Sequence, residues 1–174
     1  MKTSAKKTDD STHQANTSHD HTHWMRLAIT ESVKGMRSGE GGPFGCVIVR
    51  NGLLVAKGHN RVIGTNDPTA HAEIVALRRA AKRLGRFHLS DCVLYASCEP
   101  CPMCLSAIYW ARISKVYYAN TKSDAAKIGF VDEFIYEELK RPLPSRNLPM
   151  LPLLREEALP AFVEWSRKAD RVQY

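Results

Sequence analysis

Two short motifs constrain this chain most strongly: HAE at His71, Ala72 and Glu73, and PCPMC, which contains Cys101 and Cys104. Each motif lies where the sequence predicts the start of a helix. Cys101 and Cys104 are three residues apart, so both sulfur atoms lie on one side of a first helical turn. One imidazole nitrogen and two thiolates form a donor set suited to zinc. The fold is therefore expected to bring two helix starts together around one ion.

Three protein ligands leave one position open on a tetrahedral zinc ion, which is the arrangement of catalytic zinc. Water at that position has its pKa lowered from 15.7 to about 7. Glu73 lies two residues from His71, about 200° away on an ideal helix, so the two can converge only through the geometry of the helix end. H-x-E together with P-C-x-x-C is the signature of zinc deaminases, in which the glutamate is the general acid and base. We predict a catalytic Glu73 and one zinc ion per subunit, held by His71, Cys101 and Cys104.

A structural metal site is the alternative. The run C-x2-C-x2-C begins at Cys98 and could, with His71, close a four-ligand site or hold an iron–sulfur cluster. That interpretation leaves Glu73 without a role, and the further Cys-Pro of ferredoxin-type runs is absent. We expect Cys98, like Cys46 and Cys92, to be a small residue that fills the interior.

The length of 174 residues and 44% hydrophobic content predict one catalytic domain, over residues 24–174. Residues 1–23 are polar and are expected to form a disordered tail. The histidines of this tail have no fixed geometry and could bind metal ions only opportunistically; they are His13, His19, His21 and His23. No apolar run approaches the ~20 residues needed to cross a bilayer. Without a secretory signal, and with an odd number of cysteines, the expected location is the cytoplasm.

The net charge of +7 raises the question of a nucleic-acid partner. The densest basic cluster has the spacing of one helix face and comprises Arg78, Arg79, Lys82, Arg83 and Arg86. A solvated helix face is the simpler interpretation of that spacing. Nucleic acid is therefore not the expected partner.

The first half of the chain predicts a helix, a hairpin and a second helix. Apolar residues from Trp24 to Met36 recur at helical spacing. The apolar runs FGCVIV and LLVAKGH are joined through Arg-Asn-Gly, and Asn-Gly is the strongest short-range hairpin signal. The next helix is expected from a cap at Thr69 to a stop at Gly85.

The second half alternates between strand and helix. CVLYAS and KVYYAN predict strands, with a helix over PCPMCLSAIYWAR between them. Short helices are expected around residues 124–128 and 134–139, followed by an extended Pro-rich stretch and a last helix over 156–168. A hairpin followed by crossovers predicts an α/β sandwich with a mixed sheet, and ligands in such sheets lie near strand ends and helix starts.

From about residue 24 to its end the chain resembles the cytidine deaminase-like superfamily, which implies a three-layer α/β/α sandwich. TNDPTAHAE and EPCPMC are also similar to tRNA adenosine deaminases, in which a GAAG-type stretch typically follows the last core strand. Here DAAKIGFVDEFIYEEL stands at that place, and this segment and the C-terminal tail resemble bacterial guanine deaminases. The resemblance implies hydrolysis of guanine to xanthine and ammonia. Attack at C2 would be accompanied by proton transfer from Glu73 to N3 and then to the leaving amine.

The same resemblance implies roles for further residues. Asn60 would hydrogen-bond the purine and Phe44 would pack on its face. Asp132 would accept the N1–H and 2-amino donors of guanine, and Glu137 is a second candidate for that edge or for proton transfer. Backbone groups near Ala72 and Cys101 could orient water and the leaving group.

The resemblance also implies a homodimer in which the segment 142–174 is exchanged between subunits. Tyr174 would then close the partner's active site and exclude water. Three alternatives stay open at this point: deamination of guanosine or of aminotriazines such as ammeline, deamination of adenosine in tRNA, and a non-catalytic zinc-stabilised protein.

Overall fold

A four-stranded sheet lies at the centre of the structure, a computed structural model that describes residues 17–173. The first half contains α1 (Thr17–Arg37), β1 (Gly45–Arg50), β2 (Leu53–His59), α2 (Val62–Thr65) and α3 (Ala72–Leu84). The second half contains β3 (Cys92–Cys98), α4 (Pro102–Trp110), β4 (Lys115–Asn120), α5 (Lys122–Lys127), α6 (Glu133–Lys140), a 3-10 turn (Leu143–Ser145) and α7 (Arg155–Arg167).

The predicted hairpin is the pair β1 and β2. Asn51 and Gly52 connect the strands with φ angles of 50° and 70°. Positive φ at both central residues is what a tight type I′ turn requires, and asparagine and glycine tolerate it best. The Asn-Gly signal therefore located this turn correctly.

The directions of the strands, in the order β2-β1-β3-β4, place the C-terminal ends of three strands at the same end of the sheet. β1 is antiparallel to both β2 and β3, whereas β3 and β4 are parallel. It follows that β2, β3 and β4 run in the same direction and end together, at His59, Cys98 and Asn120. The loop that leads into β1 meets them there. The loops that follow β2, β3 and β4 and the loop that precedes β1 therefore lie together at this end of the sheet.

Helices cover both faces of the sheet. Along β1 the buried side chains alternate, with Val47 and Val49 packed towards α1 and Cys46 and Ile48 packed towards α3. A strand buried on both faces reads as a continuous apolar run, as β1 does. The predicted three-layer α/β/α sandwich with a mixed sheet is confirmed.

Helix α1 begins earlier than the sequence predicted. It starts at Thr17, so the prediction of a disordered tail through residue 23 is wrong at that end. The His21 ring lies between two hydroxyl groups of the sheet, 2.7 Å from that of Tyr95 and 3.3 Å from that of Tyr117. These partners, distant in sequence, account for the ordering of a polar segment. Residues 1–16 of the predicted tail, with His13, lie outside the described residues.

The arginines of α3 bind within the chain. Arg79 donates to the carbonyl of Lys57 at 2.8 Å, and Arg83 donates to the carbonyl of Val55 at 2.9 Å. Both carbonyls belong to β2, an edge strand, and satisfying them protects the edge from pairing with other chains. Arg78 and Arg86 pair with Asp67 and Asp91. This cluster is therefore more than the solvated surface that the sequence predicted, and all four of its guanidinium groups already have partners within the chain.

The C-terminal segment carries apolar side chains that the chain itself leaves exposed. Leu151, Leu153 and Phe162 are 86%, 85% and 75% exposed. α7 contains no buried residue, although it lies close to the range predicted for the last helix. Across residues 17–173 no helix combines the length and the apolar character needed to span a bilayer.

Candidate active site

The metal-ligating side chains sit at two helix starts. His71 is the N-cap of α3 and Cys101 is the N-cap of α4, and both have extended backbone angles. Cys104 is the third residue of α4, after a proline at the first position, where the missing N–H costs nothing. An N-cap residue lies outside the helical spiral, so the 200° separation expected for His71 and Glu73 does not apply. Helix-end geometry brings both side chains to one cavity.

The three donor atoms have the spacing of a tetrahedral zinc site. His71 Nδ1 lies 3.5 Å from the sulfur of Cys101 and 3.5 Å from that of Cys104. All three donor atoms fall within 4.8 Å of one another. With Zn–S near 2.3 Å and Zn–N near 2.05 Å, a tetrahedral angle requires an N···S distance of about 3.5 Å. The donor set and its geometry therefore fit zinc.

Cys98 does not belong to this group. Its sulfur donates to the carbonyl of Thr121 at 3.6 Å, and burial raises the pKa of its thiol to about 11. Within the part of the chain that the structure describes, the group that could hold a metal ion has three members. The four-ligand alternative is therefore not supported.

Electrostatics favour a thiolate at Cys101. Hydrogen bonding from Cys104 lowers the pKa of the Cys101 thiol to about 4, against the opposing effect of burial and with further help from His71. The hydrogen bond between Cys101 and His71 in turn raises the pKa of the His71 imidazole. Two adjacent thiols and an imidazole thus share their protons until a cation replaces them.

Glu73 is a buried carboxyl group on the wall of the same cavity. Burial raises its pKa to about 7, and the thiolate of Cys101 adds to this effect. A carboxyl group that gains and loses a proton near neutral pH is suited to general acid and base chemistry. Its position beside the metal ligands is the one that a proton carrier needs.

A cavity of about 160 Å³ opens beside these residues. This is well below the ~300–1,000 Å³ of pockets for drug-sized ligands, so it suits a single small ring system. Phe44 and Phe130 form one wall, with ring centroids 4.8 Å apart and ring planes at 89°. The lining residues are Phe44, His71, Glu73, Cys98, Glu99, Cys101, Lys122, Ala125, Phe130, Val131 and Asp132.

Asp132, at the start of α6, brings a further carboxylate to the cavity. It is the N-cap of α6 and makes no capping hydrogen bond with its side chain. Partial burial raises its pKa, and the nearby thiolate of Cys101 adds to the shift. An acceptor that is not used for capping is available to a ligand.

Asn60 is not among the described residues that line the cavity. It is buried, its backbone N–H donates to the carbonyl of Phe44 at 3.0 Å, and its Oδ1 accepts from the N–H of Val62 at 3.1 Å. The side-chain NH2 group is then the part of the amide left to donate. Ala72 is fully buried at the first position of α3, where the helix offers its N–H no carbonyl partner.

Of the two remaining predicted substrate residues, the structure describes only Glu137. Glu137 is exposed, pairs with Lys140 at 2.7 Å, and is not among the described residues that line the cavity. Tyr174 lies outside the described residues. The position of Glu137 on this chain gives no support to its predicted contact with substrate.

Sequence reasoning missed Phe130, Lys122 and Glu99 as lining residues. Glu99 Oε2 accepts from the backbone N–H of Lys122 at 3.1 Å, which ties the loop before α4 to the start of α5. Phe130 lies two residues before Asp132, and Glu99 two residues before Cys101. The sequence could have indicated these residues only through their closeness to predicted site residues such as Asp132 and Cys101. Which of those neighbours face the cavity is visible only in the fold.

Comparison with known proteins places this geometry in a family. Residues 18–120 match the family described as the cytidine and deoxycytidylate deaminase zinc-binding region. The guanine deaminase of Bacillus subtilis (strain 168) is 48% identical over 155 residues, covering 89% of this chain and 99% of that protein. The X-ray structure of the B. subtilis guanine deaminase superposes with a TM-score of 0.86, over 88% of this chain and 98% of that one.

Other relatives match over a smaller share of the chain. The tRNA-specific adenosine deaminase of Aquifex aeolicus is 39% identical over 97 residues, covering 56% of this chain and 64% of that protein. A guanine deaminase structure from Nitrosomonas europaea is 31% identical, with a TM-score of 0.57 over 68% of this chain and 66% of that chain. The match to a zinc-binding family confirms zinc as the cofactor predicted from the sequence. The chain belongs to the cytidine and deoxycytidylate deaminase family of zinc-dependent enzymes.

Proposed function

We propose that this protein hydrolyses guanine to xanthine and ammonia. The observation that carries the proposal is the likeness to the B. subtilis guanine deaminase, which is 48% identical and extends past the core through Asp132 into the C-terminal segment. The tRNA-specific adenosine deaminase of A. aeolicus matches over little more than half of the chain. A cavity sized for one small ring system agrees with a free base as substrate.

His71, Cys101 and Cys104 would hold the zinc ion, which, when bound, supplies a water molecule acidic enough to act as nucleophile at neutral pH. Glu73 carries the protons of the reaction. It takes one proton from the water molecule, whose oxygen bonds to C2, and delivers that proton to N3 of the purine. It then moves the remaining proton of that oxygen to the 2-amino group, so that the C2–N bond breaks, ammonia leaves and C2 becomes a carbonyl carbon of xanthine. Its burial keeps bulk water from competing for those protons.

Recognition of guanine rests on Asp132, Asn60 and Phe44. The N1–H and 2-amino groups of guanine are adjacent donors, and a carboxylate accepts from both, whereas adenine presents an acceptor at N1. The amide NH2 of Asn60 donates to a ring acceptor, and the ring of Phe44 packs on the purine face. The N–H of Ala72 lies at a helix start and orients a polar atom at the reacting carbon.

We further propose that the protein is a cytoplasmic homodimer with exchanged segments over residues 142–174. The exposed leucines and aromatic side chains of that segment support the exchange, since a partner chain would bury them. Tyr174 would then close the partner's cavity. All five cysteines are free thiols, which agrees with a reducing compartment.

The test is ammonia release by zinc-loaded protein from guanine, guanosine, adenine, cytosine and ammeline in parallel. Glu73→Ala is the matched inactive control. Release from guanine that disappears in the variant supports the proposal, and release from ammeline as well would widen the substrate range. If the zinc-loaded protein releases ammonia from none of these, the guanine assignment is wrong and structured RNA becomes the substrate to test.

A further inference from the structure

The loop before β1 contains a carboxylate, Glu40, that no step of the reaction uses. Its Oε2 accepts a hydrogen bond from His59 Nε2 at 2.9 Å and another from Arg61 Nε at 2.7 Å. These two partners lower the pKa of Glu40, His59 having the larger effect, so the group is an anion at neutral pH. His59 and Arg61 are the residues on either side of Asn60. One carboxylate oxygen thus binds both neighbours of a substrate-binding residue.

The backbone of the same loop fits closely against Asn60. The carbonyl of Glu40 accepts from the N–H groups of Ile63 and Gly64, at 3.1 Å and 2.9 Å. A Cβ atom at Gly41 would lie 2.1 Å from Oδ1 of Asn60 and 2.6 Å from its carbonyl oxygen. Only glycine allows this approach, because any side chain would displace the amide. The close packing at Gly41 therefore fixes the position of the loop relative to Asn60.

His59 connects this arrangement to the rigid body of the protein. A Cβ atom at Gly35 of α1 would lie 2.6 Å from the His59 ring, so helix and ring are in close contact. Glu31 of α1 approaches the other ring nitrogen, Nδ1, at 3.7 Å and also binds Lys57 at 2.6 Å. The imidazole cannot turn away without losing its contacts with Gly35 and Glu31, and Glu40 holds its Nε2 atom.

We infer that Glu40 is a positioning residue, which fixes the amide of Asn60 and through it the orientation of the purine. The inference rests on the substrate contact proposed for Asn60. Glutamine at position 40 would keep the size of the side chain and one acceptor oxygen, but that oxygen carries no charge, so its hydrogen bond with the Arg61 guanidinium would be weaker than that of the carboxylate. His59 and Arg61 would then be held less firmly on either side of Asn60, and binding energy would be lost in the ground state and the transition state alike.

Kinetics of Glu40→Gln test the inference. Asp91→Asn is the matched control, because Asp91 also accepts from two cationic side chains, Arg50 and Arg86, at the opposite end of the sheet. We expect Glu40→Gln to raise KM for guanine about five- to tenfold with kcat changed by less than about twofold. Zinc content should be that of the wild type, and Asp91→Asn should leave KM unchanged. An unaltered KM in Glu40→Gln, or an equal rise in both variants, overturns the inference.

A second measurement does not depend on the substrate. The N–H of Val62 donates to the side chain of Asn60, so its hydrogen exchange reports how firmly the amide is held. We expect this proton to exchange at least about threefold faster in Glu40→Gln and at the wild-type rate in Asp91→Asn. If the wild type releases no ammonia from guanine, the proposed function fails, and exchange still decides the positioning role. Unchanged exchange at Val62 in folded Glu40→Gln would show that Glu40 does not position Asn60.

Discussion

At the scale of single residues, whether Cys98 is a metal ligand distinguishes a structural metal site from a catalytic one. Its sulfur bonds to the carbonyl of Thr121, and burial keeps it a thiol, with its pKa raised to about 11. Cys98→Ala should therefore retain one zinc ion per chain, whereas Cys104→Ala should lose most of it. Elemental analysis of the purified variants measures both. Loss of zinc from Cys98→Ala would restore the four-ligand interpretation.

In the proposed reaction, selectivity for guanine depends on Asp132. In Asp132→Asn an NH2 group replaces one of the two acceptor atoms and faces a donor of the substrate, an unpaired polar contact in a partly enclosed site. We expect kcat/KM for guanine to fall by at least ~10²-fold, measured as ammonia release.

Glu133→Gln is the control for that variant, since Glu133 is the next residue along the chain but is exposed and lies outside the cavity lining. Its kcat/KM should equal that of the wild type. An equal kcat/KM in Asp132→Asn and the wild type would mean that another group binds the 2-amino edge of guanine.

The residues that carry chemistry were predictable because their types and spacing are dictated by zinc. His71, Cys101 and Cys104 were named from the motifs, and the structure brings their donor atoms together. The contribution of Phe130 was not predictable, because its contact with Phe44 joins segments far apart in sequence. A contact of that kind depends on the path of the chain rather than on local spacing.

At the scale of elements, Asp91 joins the end of β1, the end of α3 and the start of β3. Partial burial raises the pKa of Asp91, but ion pairs with Arg50 and Arg86 outweigh this and lower it to about 2. A carboxyl group with a depressed folded-state pKa stabilises the fold above its unfolded value of 3.8, and that stability is lost as pH falls towards 2. Asp91→Asn should therefore be less stable than the wild type at neutral pH and equally stable near pH 2.

Urea unfolding at several pH values measures this difference. The gap in free energy of unfolding between the two proteins should be constant from neutral pH to about 5 and should close between about 4 and 2. High salt should narrow the gap at neutral pH, because both ion pairs are partly exposed. A gap that persists unchanged below pH 2 would contradict an electrostatic origin.

Elements with local signals were predicted well. The Asn51–Gly52 turn and the stop at Gly85, which has a φ of 64°, follow from backbone preferences that neighbouring residues do not alter. The start of α1 was predicted incorrectly for the opposite reason. His21 finds its partner at Tyr95, 74 residues away, and composition alone treats such a side chain as solvated.

At the scale of the whole molecule, the path of the chain explains why the site forms where it does. β2, β3 and β4 all end at one edge of the sheet, and α3 and α4 start there, so loops that are distant in sequence supply the cavity together. The class of sandwich was predictable from the alternation of strands and helices. The residue pattern alone did not predict the exposure of the C-terminal segment, because an apolar residue is ordinarily expected to be buried within its own chain.

The proposed exchange of that segment predicts that two inactive variants can complement each other. A chain that ends at Lys168 keeps all the cavity residues but lacks the terminal closing residues, and Glu73→Ala has the opposite defect. When the two are co-expressed, a mixed dimer would place an intact tail over an intact cavity. Ammonia release from guanine should return to about one quarter of the wild-type rate, since half of random dimers are mixed and each has one working site.

Each variant alone must be nearly inactive for that experiment to be informative, and separately purified variants mixed without unfolding provide the control. Exchange of a segment requires dissociation, so such a mixture should regain activity only slowly, whereas the co-expressed pair should be active at once. If the tail instead closed the cavity of its own chain, every complete tail would cover a Glu73→Ala site. No arrangement of subunits would then restore turnover, and the absence of complementation would rule out the exchanged dimer.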